Sequence, residues 1–260
     1  MNNLLEVKNL CVTYPIFGGV LKKKIGEVRA VDKLSFEIKK GEAVGLVGES
    51  GSGKTTTALS CLGLIPMQGE IIWEGISIET MQIKMRKELS RRMQIVFQDP
   101  YSSLDPRMNV YDIVTEGLRA HRIGGRENRR KKAEELLDKV RLTKDSLDKY
   151  PHEFSGGQRQ RIAIARALAL EPKFIFLDEA VSSLDLLIQA QILNLLYELR
   201  AELNLTYLFI THDLSIVEYL CDRVIVMKGG KKEEEGNIEK IFDSPETEYT
   251  AKLLEARYAI

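Results

Sequence analysis

Cysteine is scarce in this sequence. Its three residues, Cys11, Cys61 and Cys221, stand far apart in a chain of 260. They are odd in number and form no C-x-x-C pair, so neither a zinc site nor an iron–sulfur cluster is supported. A reducing compartment fits such usage. Net charge is also missing: 38 Lys and Arg balance 38 Asp and Glu. No bulk field therefore favours nucleic acid or anionic lipid. The like-charge runs Lys22 to Lys24, Arg129 to Lys132 and Glu233 to Glu235 are short and read as solvated surface. No uncharged apolar stretch approaches the ~18–20 residues that span a bilayer. Met1 to Glu6 has no basic segment followed by an apolar one, so no signal peptide is visible. If this chain works at a membrane, it docks through a partner. No internal repeat or low-complexity segment is evident. What remains is an ordinary globular composition, 44% hydrophobic and 29% charged. The length suits one large domain or two lobes.

The pattern along the chain alternates strands with helices, which means an α/β core. Leu4 to Val12 and Leu34 to Ile38 alternate apolar and polar residues as half-buried strands do. Pro15 to Glu27, with Gly18-Gly19 and the lysine run, reads as a long hairpin loop. Ala43 to Val47 is a short apolar strand, and Lys54 to Leu62 a helix. Ile71 to Trp73 and Gln94 to Phe97 are further strands. From Asp99 to about Glu171 the pattern is helical, with Ala133, Leu136, Leu137 and Val140 at amphipathic spacing. Arg161 to Leu170 is apolar nearly all round, so that helix is buried. Phe174 to Leu177 is a continuous apolar strand, as in a parallel sheet covered on both faces. Ile188, Ile192, Leu195, Leu196, Leu199 and Leu203 stripe another helix. Tyr207 to Ile210 and Val224 to Met227 close the sheet, and Pro245 to Tyr258 is a terminal helix.

Gly48-Glu49-Ser50-Gly51-Ser52-Gly53-Lys54-Thr55 fits G-x-x-x-x-G-K-[ST] between a strand and a helix. The glycines let the backbone wrap a phosphate, and N–H groups at the helix start face the anion. Lys54 supplies a point charge to the β- and γ-phosphates, and the Thr55 hydroxyl a Mg²⁺ ligand. A glycine-rich turn with a chance match is the bland alternative, and the strand–helix context argues against it. Phe174 to Asp178 is an apolar strand ending in a carboxylate, where α/β sheets bind ligands. Asp178 would hold Mg²⁺ directly or through water. Glu179 is placed to act as general base for an attacking water; without the other motifs it reads equally as an exposed loop carboxylate. Ser155-Gly156-Gly157-Gln158 alone is a short polar turn before a helix. Following a phosphate loop, and followed by Asp178-Glu179, it offers a second nucleotide contact to a partner subunit.

With that run the chain resembles the ATP-binding subunits of ABC transporters over nearly its whole length. Gln98, after its strand, is similar to the Q-loop glutamine; Ser182-Ser183-Leu184-Asp185 to the D-loop; His212 in Thr211-His-Asp-Leu-Ser215 to the switch histidine. Tyr14 is similar to the aromatic that stacks on adenine. Each is weak alone, since a lone histidine or tyrosine is usually structural. The resemblance implies a P-loop NTPase core of mostly parallel sheet with helices, an antiparallel β subdomain and an inserted helical subdomain. These would form one ABC ATPase domain over 1–260, with 1–98 and 172–260 as core and 99–171 as the helical part. Glu179, His212 and Gln98 would be catalytic; Tyr14, Gly48 to Thr56, Ser155 to Gln158 and Asp185 would bind ATP; Thr55, Gln98 and Asp178 would hold Mg²⁺.

Gln98-Asp-Pro-Tyr-Ser-Ser-Leu-Asp-Pro-Arg-Met108, Tyr150 to Gln158 and Ile188 to Leu196 resemble the peptide and nickel importer branch. Phe154 stands where leucine is usual, and Ala180 where proline is usual, which should alter loop stiffness more than chemistry. Many oligopeptide members carry a C-terminal cysteine-rich extension. This sequence ends at Ile260 without those cysteines, which leaves shorter nickel, metal-chelate or peptide members in play. The implied partners are a second ATPase subunit, expected to be a related but different chain although a homodimer is possible, two transmembrane permeases and, indirectly, an extracellular binding protein. No nucleic acid is expected, and the implied location is peripheral, on the cytoplasmic face of the cell membrane. The competing readings are a soluble ABC-type ATPase acting on ribosomes or DNA, a small-molecule kinase, and a non-hydrolysing regulatory subunit. The absence of paired cassettes, a long coiled coil or zinc cysteines argues against the first. Ser155 to Gln158 and His212 argue against the second, and intact Lys54, Asp178 and Glu179 against the third.

Overall fold

A computed structural model describes residues 3–18 and 23–257. Gly19, Lys22 and Tyr258, named above, lie outside the described residues. The chain divides into two compact units, Met1–Arg86 with Leu208–Ile260, and Lys87–Tyr207.

The first unit begins with β1 (Asn3–Gly18) and β2 (Lys23–Lys39), paired antiparallel. Leu5, Leu10, Val31, Leu34 and Ile38 are fully buried and set the register of this pair. The loop expected over Pro15 to Glu27 is instead largely strand: Pro15 pairs with Glu27, Ile16 with Gly26 and Phe17 with Lys24. Phe17, Ile25 and Val28 are exposed there. Both faces of this ribbon meet solvent, so the in–out alternation that marks a strand in sequence is absent.

β3 (Ala43–Val47) is buried at every position and leads through the glycine loop into α1 (Lys54–Cys61). β4 (Gln68–Trp73) and β5 (Ile76–Ser77) complete an antiparallel sheet of order β2-β1-β4-β5. α2 (Ile83–Arg92) carries one buried residue, Leu89, and its charged sequence gave no apolar stripe to read.

In the second unit, β6 (Met93–Val96) pairs in parallel with β7 (Phe174–Asp178). Between them run α3 (Pro100–Ser103), α4 (Val110–Ala120), α5 (Arg126–Lys139) and α6 (Gly156–Leu168). Asp99 and Asn109 cap α3 and α4 through their side chains. Ile113, Val114, Leu137, Ile162 and Ala165 are buried at helical spacing and form this unit's core. α7 (Leu186–Leu203) follows β7 and ends at Asn204 in the left-handed conformation, a C-cap that asparagine tolerates.

β8 (Thr206–Thr211) carries the chain back to the first unit. There α8 (Leu214–Leu220), β9 (Arg223–Lys228), β10 (Lys231–Asn237), α9 (Ile238–Asp243) and α10 (Glu248–Arg257) follow. β3 and β9 are parallel neighbours, and β10 folds back antiparallel on β9 through Gly229-Gly230. β10 (KKEEEGN) has almost no apolar residue, so nothing in its composition announces a strand. Arg223 ties this edge together, with its Nε donating to Glu42 at 2.8 Å and a further ion pair to Glu235. Among the described residues, no helix is long and apolar enough to cross a membrane.

Candidate nucleotide-binding site

The glycine loop of the first unit is shaped by close backbone approaches. A Cβ on Gly48 (φ +148°) would lie 2.1 Å from Met227 O, and one on Gly53 (φ +100°) 2.3 Å from Ala30 O. Neither position accepts a side chain. Gly53 is the N-cap of α1 and offers no capping side chain, so the first N–H groups of the helix stay available to an anion. Lys54 is buried, and its ammonium donates to Gly48 O at 2.7 Å and Glu49 O at 2.8 Å. Ser52 is also buried, and its Oγ has no hydrogen-bond partner. An orphaned hydroxyl, a buried ammonium and an uncapped helix start in one loop are the features a phosphate group satisfies. Ser50 and Thr55 are exposed and Thr56 is half-buried. Tyr14 sits on β1 opposite Val28 with 41% of its surface exposed. His212 is exposed directly after β8, where the following Asp213 caps α8 by accepting from Ser215 N at 2.8 Å.

The second unit carries the other group of expected residues. Asp178 is buried at the C-terminal end of β7. The chain then turns sharply, with Glu179 at φ +46°. Such a conformation in a non-glycine residue costs of order 1–3 kcal/mol and occurs at functional sites. Gln98 lies beyond β6, and its Nε2 donates to Glu179 Oε2 at 2.9 Å. Gln98 thus uses its amide N–H on the carboxylate and turns its amide oxygen elsewhere. Ala180 is buried, so the position where proline is usual is filled by packing.

Ser155 begins α6 with a reciprocal cap: Ser155 N donates to Gln158 Oε1 at 3.0 Å, and Gln158 N to Ser155 Oγ at 3.4 Å. Asp185 caps α7, its Oδ1 accepting from Ile188 N at 3.0 Å. The two helix starts adjoin: a Cβ on Gly157 would come 2.3 Å from Ile188 Cγ2, and one on Gly156 3.3 Å from Leu184. The structure therefore brings Gly48 with Lys54, Gln98 with Glu179, and Ser155 to Gly157 with the Leu184–Ile188 turn.

Two arginines went unremarked in the sequence. Arg159 donates through Nε to Pro151 O at 2.7 Å and lays its guanidinium 3.6 Å over the Tyr101 ring. Arg166 donates to Ser103 O at 2.6 Å. Both fasten α3, just past Gln98, to α6, just past Ser155. The signal of Arg166 was present as a cation inside the helix read as buried over Arg161 to Leu170, where a charge needs a partner.

The family model for the ABC transporter matches residues 31–182. The oligopeptide transport ATP-binding protein OppF of Streptococcus mutans is 49% identical over 97% of this chain and 81% of its own length. AppF of Bacillus subtilis, also an oligopeptide transport ATP-binding protein, is 47% identical over 96% of this chain and 77% of its own. Among solved structures, the dimeric post-hydrolysis state of the ATP-binding cassette MJ0796 bound to ADP and Pi superposes with TM-score 0.78 at 31% identity, covering 90% of this chain and 98% of that one. The fold and the phosphate-loop geometry of the first unit define a nucleotide-binding ATPase cassette. This chain belongs to the ABC transporter family. It has the ABC ATPase fold, binds ATP and hydrolyses it, and cassettes of this family work with membrane permease components.

Proposed function

We propose that this chain is the peripheral, cytoplasmic-face ATPase of a peptide importer, paired with a second, related ATPase and two permeases. An extracellular binding protein supplies the cargo. The observation that carries this reading is near 49% identity, over 97% of the chain, to an oligopeptide transport ATP-binding protein. The relatives named above carry peptides in their names, so peptide takes precedence over nickel.

In the proposed site Tyr14 stacks on adenine and Gly48 to Thr56 wrap the phosphates. Lys54 places its charge on the β- and γ-phosphates. Thr55, Asp178 and Gln98 offer hydroxyl, carboxylate and amide oxygens, hard donors of the kind Mg²⁺ takes with one or two side chains and substrate phosphates. Bound there, the ion neutralises phosphate charge. Glu179 takes a proton from water while the water oxygen bonds to the γ-phosphorus and the bond to the bridging oxygen of ADP breaks. His212 contacts the γ-phosphate. Ser155 to Gln158 complete the partner's site from the helix start, and Asp185 links the two sites. The γ-phosphate accepts hydrogen bonds from both subunits, so its loss frees them. The segment Gln98 to Tyr111 receives the permease's cytoplasmic helix. Residues 99–171 act as the helical subdomain of a single ATPase domain.

Gentle solubilisation of native membranes, capture of this chain and identification of co-purifying proteins tests the proposal. Two multi-span proteins, a second ATPase and turnover stimulated by peptide are expected. Stimulation by nickel chelates but not peptides would reassign the cargo, and a homodimer would remove the paired-motor element.

A further inference from the structure

The glycine loop is braced along its length by other parts of the first unit. Gly48 lies against Met227 O, Gly53 against Ala30 O, and Ser52 O accepts from Gly230 N at 3.1 Å. These three braces are backbone groups of β2, β9 and the hairpin after β9. The brace at Glu49 differs in kind. Glu49 N donates to the hydroxyl of Tyr249, at 3.3 Å, from α10 some 200 residues along the chain.

Tyr249 is itself held. The Lys228 ammonium lies 4.5 Å from its ring centroid, at the end of β9. The turn that starts α10 is anchored on Glu234 of β10, a buried carboxylate. It accepts from Glu246 N at 2.8 Å and from Thr247 N and Thr247 Oγ1, each at 3.2 Å. Thr247 Oγ1 also bonds Thr250 Oγ1 at 2.8 Å. A strand edge thus fixes a helix start, and the helix start fixes a hydroxyl against the phosphate loop.

We infer that Tyr249 is a positioning residue for ATP: it holds the Glu49 arm of the phosphate loop in its binding shape. This rests on the proposed role of Gly48 to Thr55 in gripping phosphate. Lys54 holds the same arm from the other side, through Glu49 O at 2.8 Å. When its ammonium turns to an arriving phosphate, that hold weakens. The Tyr249 hydroxyl faces the N–H side of Glu49 and stays. Preorganising a loop in this way lowers the ordering cost of binding and so acts on affinity.

The test is Tyr249→Phe in the full chain, which keeps the ring and its contact with Lys228 and deletes one oxygen. A neutral hydrogen bond of ordinary net strength corresponds to a rise in the ATP Kd of about 2- to 10-fold. The single-turnover hydrolysis rate at saturating ATP is expected to stay within about twofold. Amide exchange at Glu49 is expected to speed up in the variant, a change that a merely structural loss elsewhere would not localise to this N–H. An unchanged Kd, or a raised Kd with unchanged exchange at Glu49, overturns the inference. Lys54→Ala is measured alongside. If it too leaves ATP affinity unchanged, the phosphate-loop reading has failed; if Lys54→Ala alone weakens binding, only the role of Tyr249 has.

Discussion

Glu179 concentrates the chemistry of the second unit in one residue. Its backbone is left-handed, its carboxylate accepts from Gln98 at 2.9 Å, and the buried Asp178 precedes it. Glu179→Gln preserves shape and removes the proposed base. Turnover is expected to fall by about 10²- to 10⁴-fold, the range of general-base contributions, with ATP still bound. Rapid-quench hydrolysis beside equilibrium ATP binding checks this, and wild-type turnover would remove Glu179 from the base role. Gln98→Ala deletes the amide without touching the strand end, so a loss of rate with unchanged melting temperature is its expected signature. At this scale the sequence was most legible. The spacing of Gly48 to Thr55 names residue types whose chemistry admits few alternatives, whereas Glu179 gains its reading only from the motifs around it. The sequence could not tell that Gln98 Nε2 would face Glu179, because that contact spans 81 positions.

Among elements, α6 and α7 depend on a glycine with no room for more. A Cβ on Gly157 would sit 2.3 Å from Ile188 Cγ2. Gly157→Ala is therefore expected to destabilise by about 1–3 kcal/mol through overpacking. Thermal unfolding should show it, and Gly157→Ala combined with Ile188→Ala should recover much of the loss, since the two sites share one contact. The helical pattern over 99–171 and in α7 was readable in sequence because apolar stripes are local, whereas α2, with one buried residue, had none to show. The ends of β1 and β2 and all of β10 were not readable. Their residues pair through backbone bonds while their side chains, apart from the buried Glu234, largely meet water, so neither alternation nor apolar content marks them.

For the whole molecule, burial and charge make two predictions. Cys61 is fully buried, and burial pushes its thiol up to about 12. It should not react with a thiol reagent in the native chain, whereas the half-buried Cys11 should. Labelling before and after addition of urea, read by mass spectrometry, distinguishes them. The second concerns Glu234. Burial pushes its carboxyl up, but hydrogen bonds from Glu246 N, Thr250 and Thr247 outweigh this and leave it below 4.5. A lowered folded value means that stability is fully present above the unfolded value and lost as pH falls through the folded one. Protection of the α10 amides is expected to persist at pH 5 and to decay below about 4.5, ahead of β3. The terminal helix itself was legible from Pro245 onward. Its attachment to β10 and to Glu49 was not, since it joins segments separated by more than ten and by 200 positions.

The cap at the start of α6 has a consequence for how evolution can change it. Ser155 accepts from Gln158 N with one lone pair, which leaves its O–H hydrogen uncommitted to the cap. Starting a helix needs only an acceptor, and aspartate accepts as well as serine. Greeting a phosphate needs a donor, which aspartate lacks. On the proposed assembly one hydroxyl thus serves two ends, and Ser155→Asp should divide them: a helix as firmly begun as before, on a subunit expected to repel the nucleotide of the proposed neighbour.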